Sequence, residues 1–307
     1  MAKAQRSLAG KVVAITGGGR GIGRATAAAL ITQGARVAIG DIEPGLAEKT
    51  AQELGGGTIG LPLDVTDRAS FEQFLNTTEE RLGPLDVLIN NAGIMPIGAF
   101  VEETDATAHR MVDINLHGVI YGSKLALARF VPRNRGHLVN VASVAGKAGA
   151  AGGVTYCATK HAVVGLSEAI RAEVRNSQID VTIVMPVGVN TELYSGVQPI
   201  KGFKVAEPED VAAAIVDALQ TGRVDVYVPK SIQGMFRFLN LLPRRVADLV
   251  AKLMKSDQVL LHSDPEARNA YLLRTGDPES QGATPASEPR EATEPTAPAS
   301  EPEKQTA

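Results

Sequence analysis

The stretch Lys11-Val12-Val13-Ala14-Ile15-Thr16-Gly17-Gly18-Gly19-Arg20-Gly21-Ile22-Gly23 decides how this chain is read. Lys11 to Thr16 is a β-branched run that ends at glycines, and the residues from Ile22 to Gln33 carry apolar side chains at helical spacing. A strand passing through a glycine-rich turn into a helix is an anion site. The first N–H groups of the helix have no intrahelical partner, and the helix dipole is positive there. Gly17 permits the tight turn, while Gly21 and Gly23 let backbone and helix approach a pyrophosphate.

The same theme recurs along the chain. Short apolar runs stand at 36–40, 86–89, 136–141, 180–185 and 225–228, and helix-like segments lie at 22–33, 43–54, 68–81, 107–130, 156–175 and 208–221. Strands that read as nearly continuous apolar runs are covered on both faces, as in parallel sheets. Their alternation with helices predicts right-handed βαβ units and a Rossmann-like, doubly wound α/β sheet. We read residues 1–229 as one nucleotide-binding and catalytic domain. Residues 230–276 read as a helical, apolar and basic extension. Residues 277–307, rich in Pro, Glu, Ala, Ser and Thr and without an aromatic residue, read as a disordered tail.

Bulk composition narrows the function classes. The 307 residues are 44% hydrophobic and 21% charged, enough for a sizeable core. A net charge of −3, no Trp and only 4% aromatic residues argue against a nucleic-acid partner. The single cysteine, Cys157, cannot form an internal disulfide and fits a reducing, cytoplasmic setting. It reads as a packing residue. His109, His117, His137, His161 and His262 show no metal-ligand spacing with cysteine, so no catalytic metal is expected.

Two further features carry chemistry. Asp41 ends the second strand, eighteen residues past Gly23, where a carboxylate can accept both ribose hydroxyls of NAD and would repel a 2′-phosphate. Arg20 pulls toward NADP, because a cation in the turn could meet that phosphate. NAD is the favoured cofactor and NADP the alternative. Tyr156 and Lys160 stand one helical turn apart on one face, with Ser143 thirteen residues before the tyrosine. Hydride transfer from an alcohol needs a base for the hydroxyl proton, and a phenol with a pKa near 10 is a poor one. An ammonium nearby favours the phenolate, and a serine hydroxyl can hold the substrate oxygen.

With these residues together, the chain resembles the short-chain dehydrogenase/reductase family over roughly residues 8–228. Thr16-Gly17 with Gly21 and Gly23 matches the family's glycine motif, with Arg20 and Ile22 inside the turn. Asp64-Val65 matches its adenine-contacting pair, and Asn90-Asn91-Ala92-Gly93 the motif after its fourth strand. Asn115, Ser143, Tyr156 and Lys160 match its catalytic tetrad. The resemblance implies that Lys160 also holds the nicotinamide ribose and that Asn115 positions a water relaying protons. It also implies that Val189 and Thr191 touch the nicotinamide. One motif departs from the family pattern. The Pro-Gly expected after the sixth strand reads Pro186-Val187-Gly188, with the glycine one place late.

Substrate and partners follow from the remaining segments. Lys147 to Val154 is almost all Gly, Ala and Val, and the following lid-like segment, Glu192 to Val205, is mixed apolar. Both suit an apolar alcohol or carbonyl compound, in the manner of the family's retinoid and steroid enzymes. Within 230–262, Val246, Leu249, Val250 and Leu253 repeat at helical spacing beside Arg244, Arg245, Lys252 and Lys255. Such a helix packs on its own domain or a partner subunit, or rests on an anionic membrane. The long helices resemble those that pair subunits in the family, implying a homodimer or homotetramer. Two alternatives stand beside this reading: an NADPH-dependent carbonyl reductase, and a cofactor-sensing protein without catalysis.

Overall fold

Seven parallel strands form the sheet among the described residues: β1 (Val12–Thr16), β2 (Arg36–Asp41), β3 (Ile59–Pro62), β4 (Val87–Asn90), β5 (Gly136–Val141), β6 (Ile179–Pro186) and β7 (Asp225–Val228). They stand in the order β3-β2-β1-β4-β5-β6-β7. The computed structural model describes residues 5–198, 205–239, 260–261 and 263–275. The tail at 277–307, the basic stretch at 244–255 and the lid residues 199–204 lie outside them.

Alternate residues of each strand supply the two cores. Val13, Ile15, Val37, Ile39, Val139 and Val184 face α1 (Gly21–Thr32), α2 (Leu46–Leu54) and α7 (Pro208–Thr221). Val12, Ala14, Ala38, Leu88, Leu138 and Val181 face α3 (Arg68–Leu82), α5 (Gly118–Phe130) and α6 (Val154–Glu173). This is the doubly wound sheet that the apolar runs predict. The strand order reverses between β1 and its neighbours β2 and β4, which opens a crevice beyond their carboxyl ends.

Three local features differ from the sequence reading. β3 escapes it because Ile59–Pro62 is a short, half-exposed edge strand closed by proline. Gly60 within it lies hard against α2, where a Cβ would stand 2.2 Å from the Ala47 carbonyl oxygen. Next, α2 begins at Leu46 rather than Glu43, because Gly45 takes φ +75° and interrupts any earlier helix. Finally, the single helix expected over 107–130 is α4 (Asp105–Val112), a π turn at Asp113–His117, then α5. Such a turn inserts residues into the helical repeat and re-aims the side chains that follow.

The extension contributes α8 (Ile232–Leu239) and α9 (Pro265–Thr275). Ile232 and Met235 of α8 pack against Val163, Val164 and Tyr227.

His137 tests how the sheet's lower end is held. It is buried on β5, and its Nε2 lies 2.8 Å from the Thr182 hydroxyl, which itself donates to the Arg223 carbonyl. Burial, aided by Arg6 and opposed by Asp180, lowers its pKa from 6.5 to about 4. Between those values the unfolded chain binds a proton that the folded chain refuses, so stability falls as pH drops. The loss is at most about 3 kcal/mol for a shift of this size. Denaturant unfolding at pH 7 and pH 5 should show a smaller acid loss in His137→Gln than in the parent chain. Equal losses would place the acid sensitivity elsewhere.

Candidate active site

The glycine turn has the geometry an anion site needs. Gly17 and Gly21 take φ +61° and +51°, in the left-handed region open to glycine. A Cβ on Gly23 would stand 2.2 Å from the Gly17 carbonyl oxygen, so only glycine lets α1 lie against the turn. The carboxyl end of β4 braces the turn from beneath. The Thr16 hydroxyl accepts from the backbone N–H of Asn91 at 3.0 Å and of Ala92 at 2.9 Å. The Asn91 amide donates to the carbonyls of Thr16 and Gly17 at 2.9 and 3.0 Å.

Asp41 closes the other side, accepting from the Gly19 N–H at 3.0 Å. Arg20 is engaged by two carboxylates, Glu43 and Glu192. Asp64 and Val65 line the cleft next to Asp41, and the Asp64 carboxylate accepts from the Thr66 N–H and hydroxyl at 2.8 and 2.7 Å.

The chemical end lies past β5. Ser143 follows that strand and caps a short 3-10 turn, accepting from the Ala145 N–H at 3.1 Å. Tyr156 and Lys160 project from the first turns of α6 and are buried. The Lys160 ammonium donates to the Val141 carbonyl at 3.0 Å and lies 5.6 Å from the centre of the Tyr156 ring. Burial lowers the Lys160 pKa to about 8. It raises that of Tyr156 above the ordinary phenol value, and Ser143 reverses only part of that rise.

Asn115, re-aimed by the π turn, is fully buried behind this group and does not line the cleft. Its amide exchanges hydrogen bonds with the backbone of Ile94, both at 2.8 Å, and donates to Thr159 at 3.3 Å. A Cβ on Gly93 would stand 3.1 Å from the Asn115 amide oxygen and 3.7 Å from the Lys160 nitrogen. The three positions therefore share one small space.

One cleft of about 1280 Å³ joins the two ends. Gly17, Arg20, Gly21, Ile22, Asp41, Asn91, Ala92 and Gly93 line it at the turn, and Ser143, Tyr156, Lys160, Val189 and Thr191 at the chemical end. The late glycine has a local reason. A Cβ on Gly188 would stand 2.7 Å from the Tyr194 ring, so Tyr194 packs where a side chain would sit. Cys157 is buried beside Tyr156, and burial pushes its thiol pKa up, away from thiolate chemistry. Among the described residues no group of three or more His, Cys, Asp or Glu could hold a metal ion.

Thr16 lies beneath the cleft, and α9 supplies lining residues that carry no site motif in the sequence. Thr16, quoted only as part of the glycine motif, is the hub of the brace. Tyr271, Arg274 and Thr275 of α9 line the cleft as well. Asp264-Pro265-Glu266 carries a helix-start signature that could have located α9. Nothing in that signature points the helix at the site.

Comparison with known proteins gives the family. Residues 11–200 match the short chain dehydrogenase family model, and the chain belongs to that family. It is 36% identical over 217 residues to a 2,5-dichloro-2,5-cyclohexadiene-1,4-diol dehydrogenase of Sphingobium indicum, covering 67% of this chain and 87% of that one. It is 28% identical over 255 residues to human 17-beta-hydroxysteroid dehydrogenase 13, covering 81% and 85%. Among solved structures, a short chain dehydrogenase/reductase from Burkholderia phymatum in complex with NAD superposes with a TM-score of 0.68 at 26% identity, covering 76% of this chain and 93% of that one.

Proposed function

We propose that the chain is an NAD-dependent dehydrogenase or reductase acting on the CH–OH group of an apolar alcohol, or on the matching ketone or aldehyde. The observation that carries this reading is the single cleft running from the glycine turn to Ser143, Tyr156 and Lys160. The turn fits a dinucleotide, because its left-handed glycines and the bare Gly93 leave a cradle that a Cβ would fill. Gly17, Gly21 and Ile22 would hold the pyrophosphate, with Gly23 letting α1 approach it and Arg20 tied to its two carboxylates at the rim; Asp41 would hold the adenosine ribose, and Asp64 and Val65 the adenine. Asn91, Ala92, Gly93, Val189 and Thr191 would line the path to the nicotinamide. When bound, the cofactor supplies the hydride acceptor or donor.

The protein's own part is proton handling and positioning. Tyr156 takes the hydroxyl proton during oxidation and returns it during reduction. Its buried phenol resists ionisation, so Lys160 must favour the phenolate. Each pKa unit of lowering needs about 1.4 kcal/mol of preferential stabilisation. Ser143 donates to the substrate oxygen and keeps it beside the phenol. Asn115 braces the Ile94 backbone beneath Gly93, next to the lysine.

Two observations support NAD over NADP. Arg20 is already bound by Glu43 and Glu192, so no cation stands ready for a 2′-phosphate in that turn. Asp41 presents a carboxylate at the same place. Two like charges about 4 Å apart interact by roughly 4 kcal/mol at an effective dielectric of about 20. The wall residues Ile94, Met95, Ala145, Ala150 and Leu193 support an apolar substrate of retinoid or steroid type. The relatives' names, a cyclohexadiene diol and a hydroxysteroid dehydrogenase, point to cyclic alcohols too.

A homo-oligomer is part of the proposal, with α5 and α6 as pairing helices. A second reading, peripheral membrane contact, is supported by Phe238 of α8, which stands 61% exposed. No helix among the described residues is long and apolar enough to cross a membrane.

Three outcomes are expected. Tyr156→Phe abolishes turnover of secondary alcohols and leaves NADH binding, read by nucleotide fluorescence, within a few-fold; near-normal turnover would refute the proton-transfer role. Asp41→Ala weakens NAD and narrows its preference over NADP by at least about tenfold in kcat/KM, a modest share of the repulsion above; an unchanged ratio would remove Asp41 from cofactor choice. Light scattering gives a dimer or tetramer at micromolar concentration. In the same preparation, co-sedimentation with anionic vesicles separates the membrane reading, which fails if the protein stays in the supernatant.

A further inference from the structure

The described residues between Leu260 and Thr275 touch all three loops that wall the chemical end. Against the loop between Ser143 and Tyr156, a Cβ on Gly152 would stand 2.6 Å from the Leu261 nitrogen, and one on Gly153 would stand 2.6 Å from the Leu260 side chain. Against the loop after Thr191, the Asp264 N–H donates to the Gly196 carbonyl at 2.8 Å. Arg268, 1% exposed, joins that loop to the one after β4. Its guanidinium donates to the carbonyls of Leu193 at 3.3 Å, Ser195 at 2.9 Å and Met95 at 2.7 Å. A buried guanidinium whose two terminal nitrogens donate to three carbonyls from two loops, its Nε left without a partner, fixes both loops relative to α9.

The fixed geometry presents one residue to the substrate space. Tyr271, three residues past Arg268, is buried and lines the same cleft as Tyr156. The Arg268 guanidinium stands 5.0 Å from the centre of its ring on one side, and Arg274 stands 5.9 Å from it. Arg274 is tied in turn to Glu192. The Tyr271 oxygen accepts from the Met95 N–H at 2.7 Å, which fixes its position. A phenol that accepts one hydrogen bond still has its own proton to give. Thr275, one turn on, is the side-chain hydrogen-bond partner of that phenol within the protein, and both line the cleft, where a substrate oxygen can take the proton in its place. A donor held at a buried wall discriminates, because a ligand oxygen placed against it gains a hydrogen bond in a dry site that an apolar group there cannot make.

We propose that Tyr271 is a substrate-recognition residue that donates its hydroxyl proton to a second oxygen of the substrate, remote from the carbon that reacts at Tyr156. The site then selects apolar alcohols carrying a further hydroxyl or carbonyl over their mono-oxygenated analogues. Arg268 is the positioning residue that holds Tyr271 there. This rests on the dehydrogenase reading above.

The test uses the full chain, with cyclohexanol and the cyclohexanediols as probes. The wild-type protein should favour at least one diol over cyclohexanol by about tenfold in kcat/KM, the discrimination expected of one buried hydrogen bond. Tyr271→Phe should abolish that preference and leave cyclohexanol turnover and NADH binding within about threefold. Arg268→Met should raise KM for both probes with little change in kcat, and Arg268→Lys should restore part of the loss. If Tyr271→Phe weakens diol and cyclohexanol equally, or changes neither, the residue only packs and the proposal fails. If no alcohol turns over, the dehydrogenase reading fails by itself. Diol affinity measured by calorimetry in wild type and Tyr271→Phe then decides the recognition claim: an about tenfold loss supports it, and equal or absent binding overturns it.

Discussion

The ammonium of Lys160 is the constraint around which the site is organised. It is 6% exposed, and among the described residues it donates to the Val141 carbonyl at the end of β5. Burying a cation without a carboxylate is costly, and the cost appears as a pKa brought down to about 8. A group held in that state gains from any negative charge that forms beside it. The phenol of Tyr156, whose ring centre stands 5.6 Å away, can supply one. The two residues share α6 at one-turn spacing, and that helix lies against β5, so sheet and helix together fix the pair. Gly93 then keeps the space between Lys160 and Asn115 free of a side chain.

The turn and the chemical end are coupled through charge as well as through the sheet. Arg274 pairs with Glu192, Glu192 with Arg20, and Arg20 with Glu43. The chain of ion pairs runs from α9 over the segment after β6 to the glycine turn. Hydrogen bonding from Arg274 first, and from Arg20 second, holds the Glu192 carboxyl below the usual range. Each pair is partly exposed and contributes little stability alone. Together they orient the groups along one edge of the cleft. The Arg268 clamp does the same at the other edge, within a dry environment where its hydrogen bonds count for more.

Much of this is legible in the sequence, for identifiable reasons. The six strands that cross the core are long apolar runs, and their boundaries in the structure shift by only a residue or so. Ile59–Pro62 is not legible, because an edge strand of four residues with a glycine and a proline carries no periodic signal. Asn115 is conspicuous as a residue, but its burial comes from the π turn, which has no sequence signature of its own. The turn residues and the Ser143, Tyr156, Lys160 set are recognisable in the sequence only in combination, from their order along the chain and the family motifs they match. Tyr271 and Arg268 are not, because their importance comes from where α9 docks, across more than 170 residues of chain from Met95.

The central claim is that the cleft joins a dinucleotide to an alcohol at Tyr156. It is tested most directly by following one hydrogen. The protein is mixed with NAD and a secondary alcohol carrying deuterium on its carbinol carbon, and the nicotinamide is read by mass spectrometry. The account predicts reduced cofactor carrying one deuterium, formed in proportion to ketone. Reduced cofactor without deuterium, or ketone formation with the cofactor unchanged, would contradict it.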